Sequence, residues 1–202
     1  PIRLGRTVEN QSEVVNRPSA TGVWGLLSMF LFVGGAITIW AYAGLWLNQI
    51  NIPAEKTATL LTVCLAGQVI GASGALTLKE ERHDWLRMIA TTSFLLTTIM
   101  LWLSNPTSWL AALNFGLWWM AAAPTLSSIL HHIDPKRAVL PFAPAAELAG
   151  VATIPTLAGL AFASGALELV LWAGAASIGC SLIIILTLYV LFSGRHRLES
   201  TP

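Results

Sequence analysis

Charged residues are scarce in this 202-residue chain, since Asp, Glu, Lys and Arg make up 10% of it and hydrophobic residues 55%. Soluble domains contain roughly 25% charged residues. A water-soluble fold of this length could not cover so much apolar surface. The mean hydropathy of +0.69 therefore predicts an integral membrane protein with lipid as its solvent.

Net charge and cysteine are also low. A formal net charge of +1 provides no field that attracts nucleic acid. The two cysteines, Cys64 and Cys180, lie in apolar runs without metal-ligand spacing and support no disulfide framework. We expect no metal, no bound cofactor and no nucleic-acid partner. The polar first twenty residues are not typical of a cleavable signal peptide, and the start at Pro1 leads us to expect a longer protein upstream.

Six apolar runs follow a polar segment. We assign residues 1–22 to a cytoplasmic linker, 23–193 to a transmembrane domain and 194–202 to a cytoplasmic tail. The runs cover about residues 24–47, 57–78, 88–103, 109–130, 138–162 and 167–192. Most reach the ~20 residues that a ~30 Å hydrocarbon core requires, and an open sheet edge cannot lie in lipid. The predicted fold is an all-α transmembrane six-helix bundle.

Six spans place ten of the eleven basic residues on one side of the membrane, and only Lys56 on the other. The ten are Arg3, Arg6, Arg17, Lys79, Arg82, Arg87, Lys136, Arg137, Arg195 and Arg197. Positively charged loops stay in the cytoplasm. We therefore expect both termini to be cytoplasmic, in a cell inner membrane.

Three motifs combine glycine or proline with aromatic or charged residues. They are Gly34-Gly35 followed by Trp40-Ala41-Tyr42; Gly67, Gly71 and Gly74 before the charged loop KEERHDWLR; and Ile133-Asp134-Pro135-Lys136-Arg137-Ala138 followed by Gly150-x4-Pro155-x3-Gly159. Their order and spacing resemble the C-terminal half of a major facilitator superfamily (MFS) transporter. The loop KEERHDWLR lacks the family's DRxGRR order, which leaves its role open.

This resemblance implies two inverted three-helix repeats and a partner, the N-terminal six-helix half of the same chain. It also implies a small-molecule site between the halves, near the middle of the membrane. The expected function is one half of a secondary active transporter that works by alternating access.

Glu147 is the sharpest single feature of the apolar runs. It lies about nine residues inside the fifth run, which is about 14 Å at 1.5 Å per residue. A charged carboxylate facing lipid costs several kcal/mol, so Glu147 should face protein or water, or carry a proton. We predict that it couples transport to the proton gradient or binds substrate. Sodium coupling stays open.

Other polar and aromatic residues reach similar depths. Gln68, Asn114 and Trp118 are predicted to form a polar and aromatic ring around a cavity with Glu147. Their alternative roles are hydrogen bonding between helices and simple packing. Trp40 and Tyr42 lie nearer the outer face, where we expect an outer gate or substrate contact.

Small residues and loop charges complete the set of candidates. Gly67, Gly71 and Gly150 are predicted to allow close helix packing, and Pro155 with Gly159 a kink or hinge. Arg82, Asp84, Asp134 and Arg137 are candidates for a cytoplasmic gate, whose alternative is a solvated loop.

Two other functions stay open. The first is a non-transporting membrane scaffold or assembly module. The second is a rhomboid-like intramembrane serine protease, since Gly71-Ala72-Ser73-Gly74 matches its GxSG motif. A serine nucleophile needs a base within hydrogen-bond reach, and no apolar run has a histidine in its interior. We therefore do not expect an enzyme.

Overall fold

Six long α-helices account for most of the structure. The computed structural model describes residues 19–77, 84–134, 138–161 and 165–199, and these ranges contain no β-strand. The helices are α1 (Ala20–Gln49), α2 (Ala54–Thr77), α3 (Asp84–Ser104), α4 (Trp109–Ile133), α5 (Ala143–Ala161) and α6 (Leu167–Glu199). A 3-10 turn, Leu140–Phe142, precedes α5. The predicted all-α class is confirmed for the described residues.

Side chains and backbone geometry define the helix ends. The hydroxyls of Ser19 and Ser108 cap α1 and α4 by accepting the N–H groups of Gly22 and Ala111 at 3.0 and 3.2 Å. Such caps satisfy donors that lack a partner in the first helical turn. Between α5 and α6, Gly165 has φ +107°, a conformation that glycine adopts without steric cost.

The bundle has two ends, which we name after Asp84 and Trp102. At the Trp102 end, the rings of Trp46 and Trp102 meet edge to face at 6.5 Å. At the Asp84 end, Asp84 of α3 accepts a hydrogen bond from Ser128 of α4. The helices alternate in direction, so α1, α3 and α5 begin at the Asp84 end.

The basic loops attach to this same end. Residues 78–83 and 135–137 lie outside the described residues, and with them Lys79, Arg82, Lys136 and Arg137. The helix ends that these loops connect all lie at the Asp84 end. There the Thr21 hydroxyl donates to the Ile133 carbonyl at 3.5 Å.

Five segments are long and apolar enough to cross a membrane, which supports an integral membrane protein. They are Ala20–Gln49, Ala54–Ala75, Asp84–Ser104, Leu140–Ala161 and Leu167–Ser193. Helix α4 has 25 residues and joins the same two ends, but it is not among them. Its three tryptophans, Asn114 and two terminal histidines lower its mean hydropathy.

Helix α1 lies at the centre of the bundle. The most extensive contacts join α2 with α4, α1 with α6 and α1 with α5, and smaller ones join α3 with α4, α3 with α6 and α1 with α4. Of the apolar segments, those of α5 and α2 are the least buried and that of α1 the most. Consequently α2 and α5 each present a broad apolar face outward.

Glycines allow the backbones of two parallel helix pairs to touch. In the α2–α4 pair, a Cβ atom added at Gly67 or Gly71 would overlap the carbonyl oxygen of Leu113 or Leu117. In the α1–α5 pair, a Cβ atom at Gly150 would overlap the carbonyl oxygen of Phe30. Small residues permit this approach between membrane helices.

A third close contact fixes α6 to α1. Gly35 and Gly174 face each other, and a Cβ atom on either would crowd the carbonyl oxygen of the other. Nearer the Asp84 end, the buried hydroxyls of Ser28 and Ser181 lie 2.8 Å apart, and that of Ser181 also lies 2.9 Å from the Ser28 carbonyl oxygen. The bond satisfies both hydroxyls inside an apolar core.

Candidate functional site

Glu147 lies on the side of α5 that faces α1. Its neighbours at helical spacing are Gly150, Ile154 and Ala158, and the first two of these pack against α1 at Phe30 and Gly34. The side chain is partly exposed and is the only charged group of α5. The carboxylate therefore lies beside the α1–α5 contact, one turn closer to the Asp84 end.

The depth of Glu147 depends on where the fifth segment begins. Regular helix begins at Ala143 rather than near residue 138, because the 3-10 turn with Pro141 comes first. Within the 22-residue segment Leu140–Ala161, Glu147 lies a third of the way from the Asp84 end. The carboxylate is thus between that end and the middle of the segment, and nearer the middle.

Gln68 and Asn114 occupy the neighbouring helices α2 and α4. Gly116 of α4 packs against the α2 backbone at Cys64 and Gln68, which brings the two helices together at this level. Each amide nevertheless bonds within its own helix: Gln68 Nε2 lies 3.8 Å from Cys64 Sγ, and Asn114 Nδ2 donates to the Leu110 carbonyl at 2.8 Å. Within the described ranges, no hydrogen bond connects these amides with each other or with Glu147.

Trp118 faces α3. Its indole stacks on Phe94, with ring centroids 5.0 Å apart and planes at 19°. Both rings line an open cleft of about 490 Å³ between α2, α3 and α4. The structure thus places Trp118 in this cleft and gives it no contact with Glu147.

Tyr42 and Pro155 connect α1 and α5. The Tyr42 hydroxyl donates to the Pro155 carbonyl at 3.3 Å, and a Cβ atom added at Gly159 would overlap that hydroxyl. Proline has no N–H, so α5 lacks one backbone hydrogen bond here. The Tyr42 hydroxyl therefore joins α1 to α5 at the proline. Trp40 packs half-buried against the core.

The acidic members of the predicted gate stabilise helix ends. Asp84 is 5% exposed, accepts from Ser128 and forms an ion pair with Arg87 at 3.3 Å. Asp134 is 2% exposed and accepts the Val139 N–H at 2.7 Å, which closes the turn between α4 and α5. The basic members of the predicted gate, Arg82 and Arg137, lie outside the described residues.

Asp84, Arg87 and Ser128 form what we call the Asp84 cluster. Sequence reasoning missed two of its members. Ser128 was not a candidate, because nothing in its spacing shows that the end of α4 lies beside the start of α3. Arg87 was considered only as a loop charge, although its position three residues after Asp84 in a helix is a signal for an ion pair.

The described part of the chain contains neither a Ser73–histidine pair nor a cluster of metal-ligating residues. Ser73 is exposed and makes no hydrogen bond to a histidine there, and His132 Nδ1 lies 2.9 Å from the Ser128 carbonyl oxygen. In the same ranges no three His, Cys, Asp or Glu residues come together around a possible metal ion. The chemically notable groups are therefore Glu147, the Asp84 cluster and the cleft beside Trp118.

Comparison with known proteins finds no family model, curated protein or solved structure that matches this chain significantly.

Proposed function

We propose that this chain is one half of an MFS-type secondary transporter, built as two inverted three-helix repeats, α1–α3 and α4–α6. The other half is an N-terminal six-helix unit of the same protein. A small molecule crosses the membrane between the halves by alternating access, driven by the proton gradient without a bound cofactor.

The pairing of the helices is the observation that carries this proposal. In the two proposed repeats α1 corresponds to α4, α2 to α5 and α3 to α6. If each helix is replaced by its counterpart, the α2–α4 contact becomes the α5–α1 contact, and the α1–α6 contact becomes the α4–α3 contact. The α3–α6 and α1–α4 contacts convert into themselves. Corresponding helices start at opposite ends of the bundle, as an inverted repeat requires.

Helix α4 is the sixth span in this proposal. It joins both ends and packs against α1, α2 and α3, so protein surrounds much of its surface. A helix enclosed in this way needs less hydrophobicity than one that faces lipid. With six spans, the Asp84 end and its basic loops face the cytoplasm of a cell inner membrane.

Glu147 is the proposed proton-coupling residue. A charged carboxylate is costly where it faces hydrocarbon and tolerated where water reaches it, so a change in the exposure of this side chain can accompany the gain or loss of a proton. Its position beside the α1–α5 contact allows a movement of α5 against α1 to change that exposure. Gln68, Asn114, Trp40 and Tyr42 are proposed as polar and aromatic contacts along the substrate path.

Transport by the native protein in liposomes tests both parts of the proposal. A panel of radiolabelled cations, anions and neutral molecules is offered with and without an imposed proton gradient. We expect one class to accumulate only with the gradient. Glu147→Gln should reduce this gradient-driven accumulation at least tenfold. The same variant should still exchange the substrate down its concentration gradient.

Glu168→Gln is the matched control, since Glu168 is exposed at the Trp102 end and, among the described residues, accepts only from Trp172 of its own helix. It should transport like the unchanged protein. Full gradient-driven accumulation by Glu147→Gln would eliminate the proton role of this residue. Failure of the unchanged protein to move any class would eliminate the transporter.

A further inference from the structure

The cleft beside Trp118 has one charged end. It follows a single stripe of α3, from Arg87 through Ala90 and Thr91 to Phe94, with Trp118 of α4 at its far end. These positions recur at helical spacing and cover two turns, which is about 10 Å. On the α2 side the lining includes the small residues Gly71, Gly74 and Ala75, which leave space for an occupant.

Among the described lining residues, Arg87 is the charged group that remains available to a polar ligand. The Thr77 hydroxyl donates to Gly74, and that of Thr91 to the carbonyls of Arg87 and Met88. Within the described residues, Arg87 uses one nitrogen, Nη1, to contact Asp84. A guanidinium has five N–H donors, so several remain for an anion at the mouth of the cleft.

The cleft opens between two helices that have almost no direct contact, α2 and α3. Both are long and apolar enough to cross a membrane, so a bilayer around the bundle would reach this opening. An occupant must therefore have an apolar body and an anionic group at the level of Arg87. That combination describes an anionic phospholipid.

We infer that this cleft binds one anionic phospholipid, with its phosphate on Arg87 and an acyl chain along α3 as far as Phe94 and Trp118. Basic pockets between membrane helices bind such head groups on the cytoplasmic side. The inference requires membrane insertion but not transport.

Native mass spectrometry of the purified protein tests this inference. The protein in neutral detergent is titrated with phosphatidylglycerol or with phosphatidylcholine of the same acyl chains. One arginine beside a lipid phosphate should favour phosphatidylglycerol about fivefold. Arg87→Gln should lose that preference, and Arg87→Lys should keep most of it.

Gly74→Leu tests the apolar part without touching the charge. A Cβ atom added at Gly74 has no neighbour within 4 Å, so the larger side chain fills the cleft without displacing a helix. It should weaken binding of both lipids. Lys56→Gln, at the opposite end of the bundle, should leave both unchanged.

Three results would overturn the inference. A preference for phosphatidylglycerol that survives Arg87→Gln would place the anion elsewhere. Unchanged lipid binding by Gly74→Leu would show that no acyl chain enters the cleft. Displacement of phosphatidylglycerol by inorganic phosphate would identify an anion site that needs no lipid.

Discussion

The α2–α4 and α1–α5 pairs share one packing device and differ in the polar groups beside it. Glycines bring both pairs into backbone contact, at Gly67 and Gly71 in the first and at Gly150 in the second. The first pair carries amides that bond within their own helices, and the second carries Glu147. The backbone contact thus sets the architecture, and the neighbouring side chains set the chemistry.

The largest effect is expected at Gly71. In Gly71→Ala the new Cβ atom overlaps the Leu117 carbonyl, so α2 and α4 must separate, at a cost of about 3 kcal/mol. Unfolding by SDS titration measures this loss. Gly74→Ala is the control, because its Cβ atom meets nothing; equal losses in both variants would mean that the contact does not hold the pair together.

Gly150→Ala tests the other pair and should cost about 2 kcal/mol, because its Cβ atom overlaps the Phe30 carbonyl at a contact with fewer such glycines. The same titration gives the value. Ala152→Leu, on the exposed side of α5, should be nearly neutral. If Gly150→Ala cost more stability than Gly71→Ala, the α1–α5 contact rather than the α2–α4 contact would be the more sensitive of the two to an added Cβ atom.

Ser128→Ala should cost about 1.5 kcal/mol, because the buried Asp84 carboxylate loses a hydrogen bond that joins α3 to α4. Heat denaturation in detergent measures the change. The neighbouring Ser127→Ala removes a bond within α4 only and should have little effect. Similar losses for the two serines would show that the hydrogen bond between Asp84 and Ser128 does not hold α3 against α4.

The smallest effect is expected for the amides. Gln68→Leu and Asn114→Leu should each cost about 0.6 kcal/mol or less, since neither side chain bonds across a helix interface. SDS titration of both variants checks this. A loss above about 1.5 kcal/mol in either variant would reveal a hydrogen-bond partner on another helix. The polar groups of the α2–α4 pair would then no longer differ from those of the α1–α5 pair.

The helices could be predicted because length and apolarity are local properties. The glycines were also visible as small residues four apart, but their partners were not. Spacing in α2 cannot show that α4, rather than α3, lies against Gly67. The stacking of Trp118 on Phe94 depends on the same information and was missed for the same reason.

The predicted run of about residues 138–162 agrees with the apolar segment Leu140–Ala161, but regular α-helix within it starts only at Ala143. Pro141 disfavours helical geometry at Leu140, and the chain forms a 3-10 turn before the helix. Asp134 illustrates a different limit. A carboxylate in a charged loop was interpreted as a gate, whereas its observed partner is the backbone N–H of Val139.

The polar and aromatic residues of α4 have a consequence for biosynthesis. A nascent segment with three tryptophans, an asparagine and two histidines partitions less readily from the translocon into the bilayer than a purely aliphatic segment of the same length. Helices α2 and α3 leave the ribosome before it and pack against it in the finished bundle. Helices α2 and α3 can therefore pack against α4 as it emerges. The order of synthesis thus gives α4 a protein surface to bind, in addition to lipid.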